Sequence, residues 1–118
     1  MANPLIHIHA PVAEALRNGE PIVALESTIV AHGMPYPANL ETAQTLESLV
    51  ESGGAVPATV AVANGQIHVG CAADMLHALA TEEGVWKISR RDLPLALAKR
   101  VLGATTVSGT LIGAARAG

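Results

Sequence analysis

Pro21-Ile22-Val23-Ala24-Leu25-Glu26 decides the fold. The apolar run reads as a short, mostly buried strand that ends on an acid. Ahead of it, residues 11–18 read as a short helix: Pro11 suits a first turn, Val12, Ala15 and Leu16 recur at helical spacing, and Gly19 ends the segment. A strand that follows a helix and leads into another defines an α/β pattern, and open α/β sheets bind ligands beyond the carboxyl ends of their strands. Glu26 stands at such an end.

Downstream the pattern continues. His32-Gly33-Met34-Pro35-Tyr36-Pro37 is a constrained connection, since two prolines restrict φ and a glycine permits close approach. Asn39 is expected to cap a helix whose stripe is Leu40, Ala43, Leu46, Leu49 and Val50, core or subunit interface, with Gly53 and Gly54 as its stop. Val56 to Ala63 and Gln66 to Val69 read as strands joined by the hairpin dipeptide Asn64-Gly65. A helix is expected over 73–83 with Gly84 as its stop, then a strand over 85–89. Asp92 should cap a further helix, with Pro94 in its first turn, running to about Leu102. Residues 103–110 read as a small-residue turn, and Leu111 to Ala117 as a last helix.

Composition narrows the function. The 118 residues suffice for one compact domain. Half are apolar, with no Phe, one Tyr and one Trp, so the core must be Ala, Val, Leu and Ile, and little aromatic surface is left for stacking bases. The formal charge is −3 and unevenly spread: six acids and one base over 1–51, six bases and three acids over 82–118. A local anion site in the later part suits a small anionic ligand better than a nucleic-acid polymer. The single Cys71 excludes an internal disulfide and a Cys-rich metal cluster, and a reducing, cytoplasmic setting is expected. Neither a signal peptide nor a membrane span is read from the chain.

Several side chains could carry chemistry. Glu26 is either a strand-end acid held rigidly in apolar surroundings, fit for proton donation, or an exposed acid paired with a base. Lys87, Arg90 and Arg91 form the best basic cluster, placed to meet a phosphate or to make ordinary ion pairs. Thr105, Thr106 and Ser108, with Gly109, could offer hydroxyls and backbone N–H groups to a sugar phosphate, or simply start a helix. His7 and His9 alternate as on one face of an extended segment, but two imidazoles underdetermine a metal site and a mobile terminus is expected. Cys71 is expected to be a small buried residue without nucleophilic character.

Ala24-Leu25-Glu26-Ser27-Thr28-Ile29-Val30-Ala31-His32-Gly33-Met34-Pro35-Tyr36-Pro37 closely resembles the pseudouridine-5'-phosphate glycosidase family, also described as indigoidine-synthase-A-like. Gly54-Ala55-Val56-Pro57-Ala58-Thr59, Lys87-Ile88-Ser89-Arg90-Arg91-Asp92-Leu93-Pro94 and Gly103-Ala104-Thr105-Thr106-Val107 agree in the same order. The resemblance implies a three-layer α/β/α domain with a mixed sheet, of which this chain is the amino-terminal portion. It implies reversible hydrolysis of the C–C glycosidic bond of pseudouridine 5'-phosphate to uracil and ribose 5-phosphate. It also implies a divalent metal, commonly manganese, a covalent lysine and a homo-oligomer, most often a trimer. Glu26 matches the catalytic proton donor; Lys87 and Val107 match substrate-binding positions. Arg90, Thr105, Thr106 and Ser108 remain candidate phosphate or sugar contacts. The family's covalent lysine and acidic metal ligand lie downstream of the matched blocks, and Lys99 matches neither, so no metal ligand is assigned. The alternative reading is a non-catalytic module that binds sugar phosphate or assembles with a second polypeptide.

Overall fold

A computed structural model describes residues 3–118; Met1 and Ala2, which open the segment read for a leader, lie outside the described residues. Helix α1 (Ala10–Asn18) buries Val12 and Ala15 and ends on Gly19, whose φ of 67° places it in the left-handed region expected of a helix stop. It is followed by β2 (Ile22–Leu25), with Glu26 at its carboxyl end as read from the sequence. The strand is less buried than expected: Val23 is 41% exposed, because β2 pairs only with β3 (Val56–Ala63).

The amino-terminal segment departs from expectation. Ile6–Ile8 forms β1, parallel to β4 (Gln66–Val69), so His7 belongs to the sheet rather than to a mobile terminus. The cause is the flanking isoleucines, which pack against the core while His7 faces outward.

Asn64 and Gly65 have φ of 53° and 75°, the double left-handed geometry of a tight hairpin, and join β3 to β4. The sheet runs β1-β4-β3-β6-β5, with β2 also on β3. Here β5 is Trp86–Ile88 and β6 is Gly103–Thr105. The expected small-residue turn at 103–110 is therefore corrected: its first part is a fully buried strand, parallel to β5 and antiparallel to β3. Small residues are needed there, since a Cβ on Gly103 would stand 2.5 Å from Ile88 Cγ1. The last helix, α5 (Val107–Ala117), consequently begins at Val107, not at Leu111.

Helices cover both faces of this mixed sheet, which makes the three-layer α/β/α arrangement. On one face α1, α4 (Leu93–Lys99) and α5 meet Ala58, Val60 and Val62 of β3. On the other, α2 (Ala38–Ser52) and α3 (Ala73–Thr81) meet Ala61 and Ala104. Strand alternation assigns these residues to the two cores.

Local bonds set the helix boundaries here. Asp92 stands at the cap position of α4 as expected but makes no side-chain cap bond there, and Ser89 caps the 3₁₀ turn just ahead of it. Its N–H and hydroxyl both donate to Asp92 Oδ2, at 2.9 and 2.7 Å, closing a capping box around a 3₁₀ turn at Arg90–Asp92. These bonds hold the Asp92 carboxyl below the usual carboxylate range. The helix stops at Lys99, short of Leu102, because Arg100 turns left-handed with φ 57°. The third helix ends at Thr81 rather than 83, where the chain becomes extended at Glu82.

Asn39 does not cap α2 but lies inside its first turn, buried. Its side-chain amide donates to the Val30 carbonyl at 2.8 Å and the Ala80 carbonyl at 2.9 Å, tying α2 to the π-helical turn at Ile29–Gly33 and to α3. Asn39→Leu leaves both carbonyls without that donor, and a loss of about 1–3 kcal/mol of stability is expected by urea denaturation. Of the stripe expected on α2 only Ala43 is buried, while Leu46 is 37% and Leu49 61% exposed. Leu46 borders Leu25 at the edge of the sheet, where no strand lies beyond β2 among the described residues.

Candidate active site

The site is set by an unusual meeting of strand ends. Strand β3 uses one edge for β4, extended by a Gly70 N–H bond to the Thr59 carbonyl. Its other edge is shared: Val56 to Thr59 pair with β2, and Ala61 and Val62 pair with β6. Because β2 runs parallel and β6 antiparallel to β3, their carboxyl ends approach each other head-on beside Val60.

Ser27 occupies the gap. Its hydroxyl donates to the Val60 carbonyl at 2.6 Å and accepts the Thr105 N–H at 2.8 Å, standing in for the ladder bond that Thr105 and Val60 would otherwise make. The Ser27 N–H donates to the Thr105 carbonyl at 3.1 Å, and the Thr28 hydroxyl donates to the same carbonyl at 3.0 Å. Thr105 adds a hydroxyl bond to the Val60 carbonyl and shares another with Thr110, both at 2.8 Å. No buried side-chain polar atom is left unpartnered among the described residues. Composition alone did not single out Ser27, Thr28 or Thr110; the signal was a Ser-Thr pair directly after a strand-end acid.

This joint brings the sequence candidates to one end of the sheet. Glu26 directly precedes Ser27. Lys87, exposed, is in register with Ala104, whose neighbour Thr105 is welded to Ser27. The Thr106 N–H donates to the Ile88 carbonyl at 2.9 Å, and the Arg90 N–H donates to the Ser108 hydroxyl at 3.0 Å. Thr106 and Ser108 share a 3.2 Å hydroxyl bond at the start of α5. Arg90 and Val107 are exposed beside them. The first turn of this helix presents backbone N–H groups of the kind that favour anions.

Two expectations change at this level. Thr105 is fully buried and its hydroxyl is spent on Val60 and Thr110, so that side chain belongs to the joint and not to an open pocket. The apolar enclosure expected around Glu26 is not supplied: Glu26 is exposed and lines a cleft of only about 10 Å³ with Leu25, Leu46 and Thr59. Small-molecule sites usually need about 300–1,000 Å³, so this cleft cannot enclose a sugar phosphate.

The remaining groups lie elsewhere. Cys71 is buried, its thiol donates to the Thr59 carbonyl at 3.3 Å, and burial, with the Glu47 carboxylate behind it, pushes its pKa up to about 12. It is inert in the fold, as read from the sequence. His7 and His68 lie with ring centroids 4.9 Å apart, and burial lowers the His68 pKa, with His7 adding to the effect. No three His, Cys, Asp or Glu side chains gather to hold a metal among the described residues. Lys99 ends a helix that starts near Arg90 and runs away from it. No helix is long and apolar enough to cross a membrane among the described residues.

A mixed three-layer sheet that gathers an acid, a lysine and a hydroxyl-lined helix start at its strand ends has the character of an α/β enzyme unit. Residues 11–118 match the model of the indigoidine synthase A like protein family, and the chain belongs to that family. It is 57% identical over 113 residues to a pseudouridine-5'-phosphate glycosidase of Rhodospirillum centenum, covering 96% of this chain and 35% of that protein. It is 52% identical over 116 residues to a pseudouridine-5'-phosphate glycosidase of Nocardioides sp., covering 98% and 38%. The crystal structure of the prealnumycin C-glycosynthase AlnA in complex with ribulose 5-phosphate superposes with a TM-score of 0.87 at 40% identity, over 98% of this chain and 37% of that one. The chain thus spans little more than a third of the length of the relatives it matches.

Proposed function

We propose that this chain carries the proton-donating and part of the sugar-phosphate-binding half of a pseudouridine-5'-phosphate glycosidase site. The reaction is reversible: the bond between ribose C1' and the uracil carbon breaks, water supplies oxygen and hydrogen to the sugar, and uracil gains a proton at carbon. Glu26 delivers that proton, a role suited to a carboxyl fixed at a strand end. Lys87 and the Val107 backbone contact substrate, while Arg90, Thr106 and Ser108 hold the phosphate or sugar. Binding through the phosphate, which does not react, orients the carbon that does. The observation that supports this reading is the Ser27 joint, in which the residue following Glu26 is bonded to Val60 and to Thr105, just ahead of the Thr106–Ser108 turn.

The covalent lysine and the divalent metal, commonly manganese, belong to the relatives' remaining length. Among the described residues no three His, Cys, Asp or Glu side chains gather to fit a metal centre, and no step is assigned to one. The complete protein would be a homo-oligomer, a trimer by family resemblance. The test joins residues 1–118 to the remaining part of the Rhodospirillum centenum relative and follows uracil release from pseudouridine 5'-phosphate with manganese by chromatography. The joined protein should release uracil and the 118-residue chain alone should not. A folded joined protein that releases none overturns the reading. A second reading, a sugar-phosphate-binding or assembly module, draws on the exposed Lys87 and Arg90 beside the start of α5 and would be favoured if ribose 5-phosphate bound that protein without turnover.

A further inference from the structure

The buried face of α5 consists of Gly109, Thr110 and Gly113. The two glycines bring the helix backbone close to the sheet. A Cβ on Gly109 would stand 2.8 Å from the Ile88 carbonyl oxygen, and one on Gly113 would stand 2.9 Å from Val60 Cγ1. Contacts of this kind attract without much direction. Thr110 supplies the direction. A threonine within a helix commonly turns its hydroxyl back onto the carbonyl four residues earlier. Here that carbonyl, of Thr106, takes the Thr110 N–H at 2.9 Å, while the Thr110 hydroxyl lies 2.8 Å from the Thr105 hydroxyl ahead of the helix.

The sense of that bond follows from the donors available. Thr105 has one hydroxyl proton, and it goes to the Val60 carbonyl at 2.8 Å. Thr110 is therefore the donor to Thr105. The same Val60 carbonyl accepts the Ser27 hydroxyl at 2.6 Å. Directed bonds thus run from α5 through Thr105 to Val60, and from Val60 to the residue that follows Glu26. Residues 106–109 are the chain between the two bonded threonines, so the Thr110–Thr105 bond closes a short loop around Thr106–Ser108. The same loop meets the end of β5, where the Thr106 N–H donates to the Ile88 carbonyl and the Arg90 N–H donates to the Ser108 hydroxyl.

We propose that Thr110 is a positioning residue for the Thr106–Ser108 turn, its hydroxyl bond to Thr105 setting the register of α5 on the sheet. This rests on the reading given above, in which that turn holds the phosphate or sugar. Thr110 is only 6% exposed, so it acts through Thr105 and the turn rather than on the ligand. Register matters because hydrogen bonds weaken steeply away from their preferred distance and angle, and a misplacement of about 1 Å can cost as much as 10²-fold.

Thr110→Val keeps the shape of the side chain and removes the hydroxyl, whereas Thr110→Ser keeps the hydroxyl and removes a methyl group. In the joined protein, Thr110→Val should raise KM for pseudouridine 5'-phosphate about tenfold with kcat within about threefold, since the turn holds a part of the substrate that does not react. Thr110→Ser should leave KM within about twofold even where its melting temperature falls as far. A merely structural role would make KM follow the melting temperature in both. Exchange of the Arg90 amide in the 118-residue protein needs no turnover, and it should be about tenfold faster in Thr110→Val and unchanged in Thr110→Ser. If the joined protein releases no uracil, the proposed reaction fails and the Arg90 exchange alone decides the positioning role. Should Thr110→Val not fold, Thr110→Ala set against Thr110→Ser makes the same comparison. An unchanged KM in the variant without the hydroxyl, an equal rise in Thr110→Ser, or unchanged Arg90 exchange overturns the inference.

Discussion

Glu26→Gln should lower the turnover of a complete glycosidase carrying this segment by about 10²–10⁴-fold, with KM for pseudouridine 5'-phosphate little changed. Glutamine keeps the shape of the side chain and its place before Ser27, but it has no proton to give. The loss should fall on kcat because protonation at carbon stabilises the transition state and contributes little to binding the ground state. The variant must also fold: Glu26 is exposed, and the joint beneath it is built by Ser27, Thr28 and Thr105. An unchanged melting temperature with lost uracil release, followed by chromatography, would separate the chemistry from stability. Near-normal turnover would remove Glu26 from the proton-donor role.

How much of this was legible in the sequence depends on where the information lay. Strand β2 with its terminal acid, the hairpin at Asn64-Gly65 and α1 with its glycine stop were readable because each is specified by local pattern and local backbone preference. The four family blocks were readable as resemblance. By contrast β6 was read as a turn, since Gly103-Ala104-Thr105 has the composition of one. Its strand character comes from lying between β3 and β5, where only small residues clear Ile88. Asn39 misled for a related reason: the residue type favours caps, and only the tertiary fold brings the Val30 and Ala80 carbonyls within reach of one amide. Exposure along α2 and around Glu26 could not be read at all, because burial depends on what covers the surface.

Ser27→Ala should destabilise the 118-residue protein by about 1–3 kcal/mol, the cost of leaving a buried polar group without a partner. The hydroxyl serves two groups that nothing else in the fold can serve together. The Thr105 N–H loses its 2.8 Å acceptor, and the Val60 carbonyl keeps only the Thr105 hydroxyl. Ser27 is fully buried, so relaxation would have to admit water into the junction or bring Thr105 directly onto Val60. The second course would pull β6 toward β3 and displace the end of β2, and with it Glu26. Two measurements then diverge in an informative way. Urea denaturation reports the missing bonds, while amide exchange at Thr105 reports whether the junction opens to solvent. A stability loss with fast exchange at Thr105 means that the serine hydroxyl holds two strand ends together. A stability change below about 0.5 kcal/mol with Thr105 still protected would mean that the ends pair without it, and that the placement of Glu26 rests on the remaining Thr28 and Ser27 backbone bonds to Thr105.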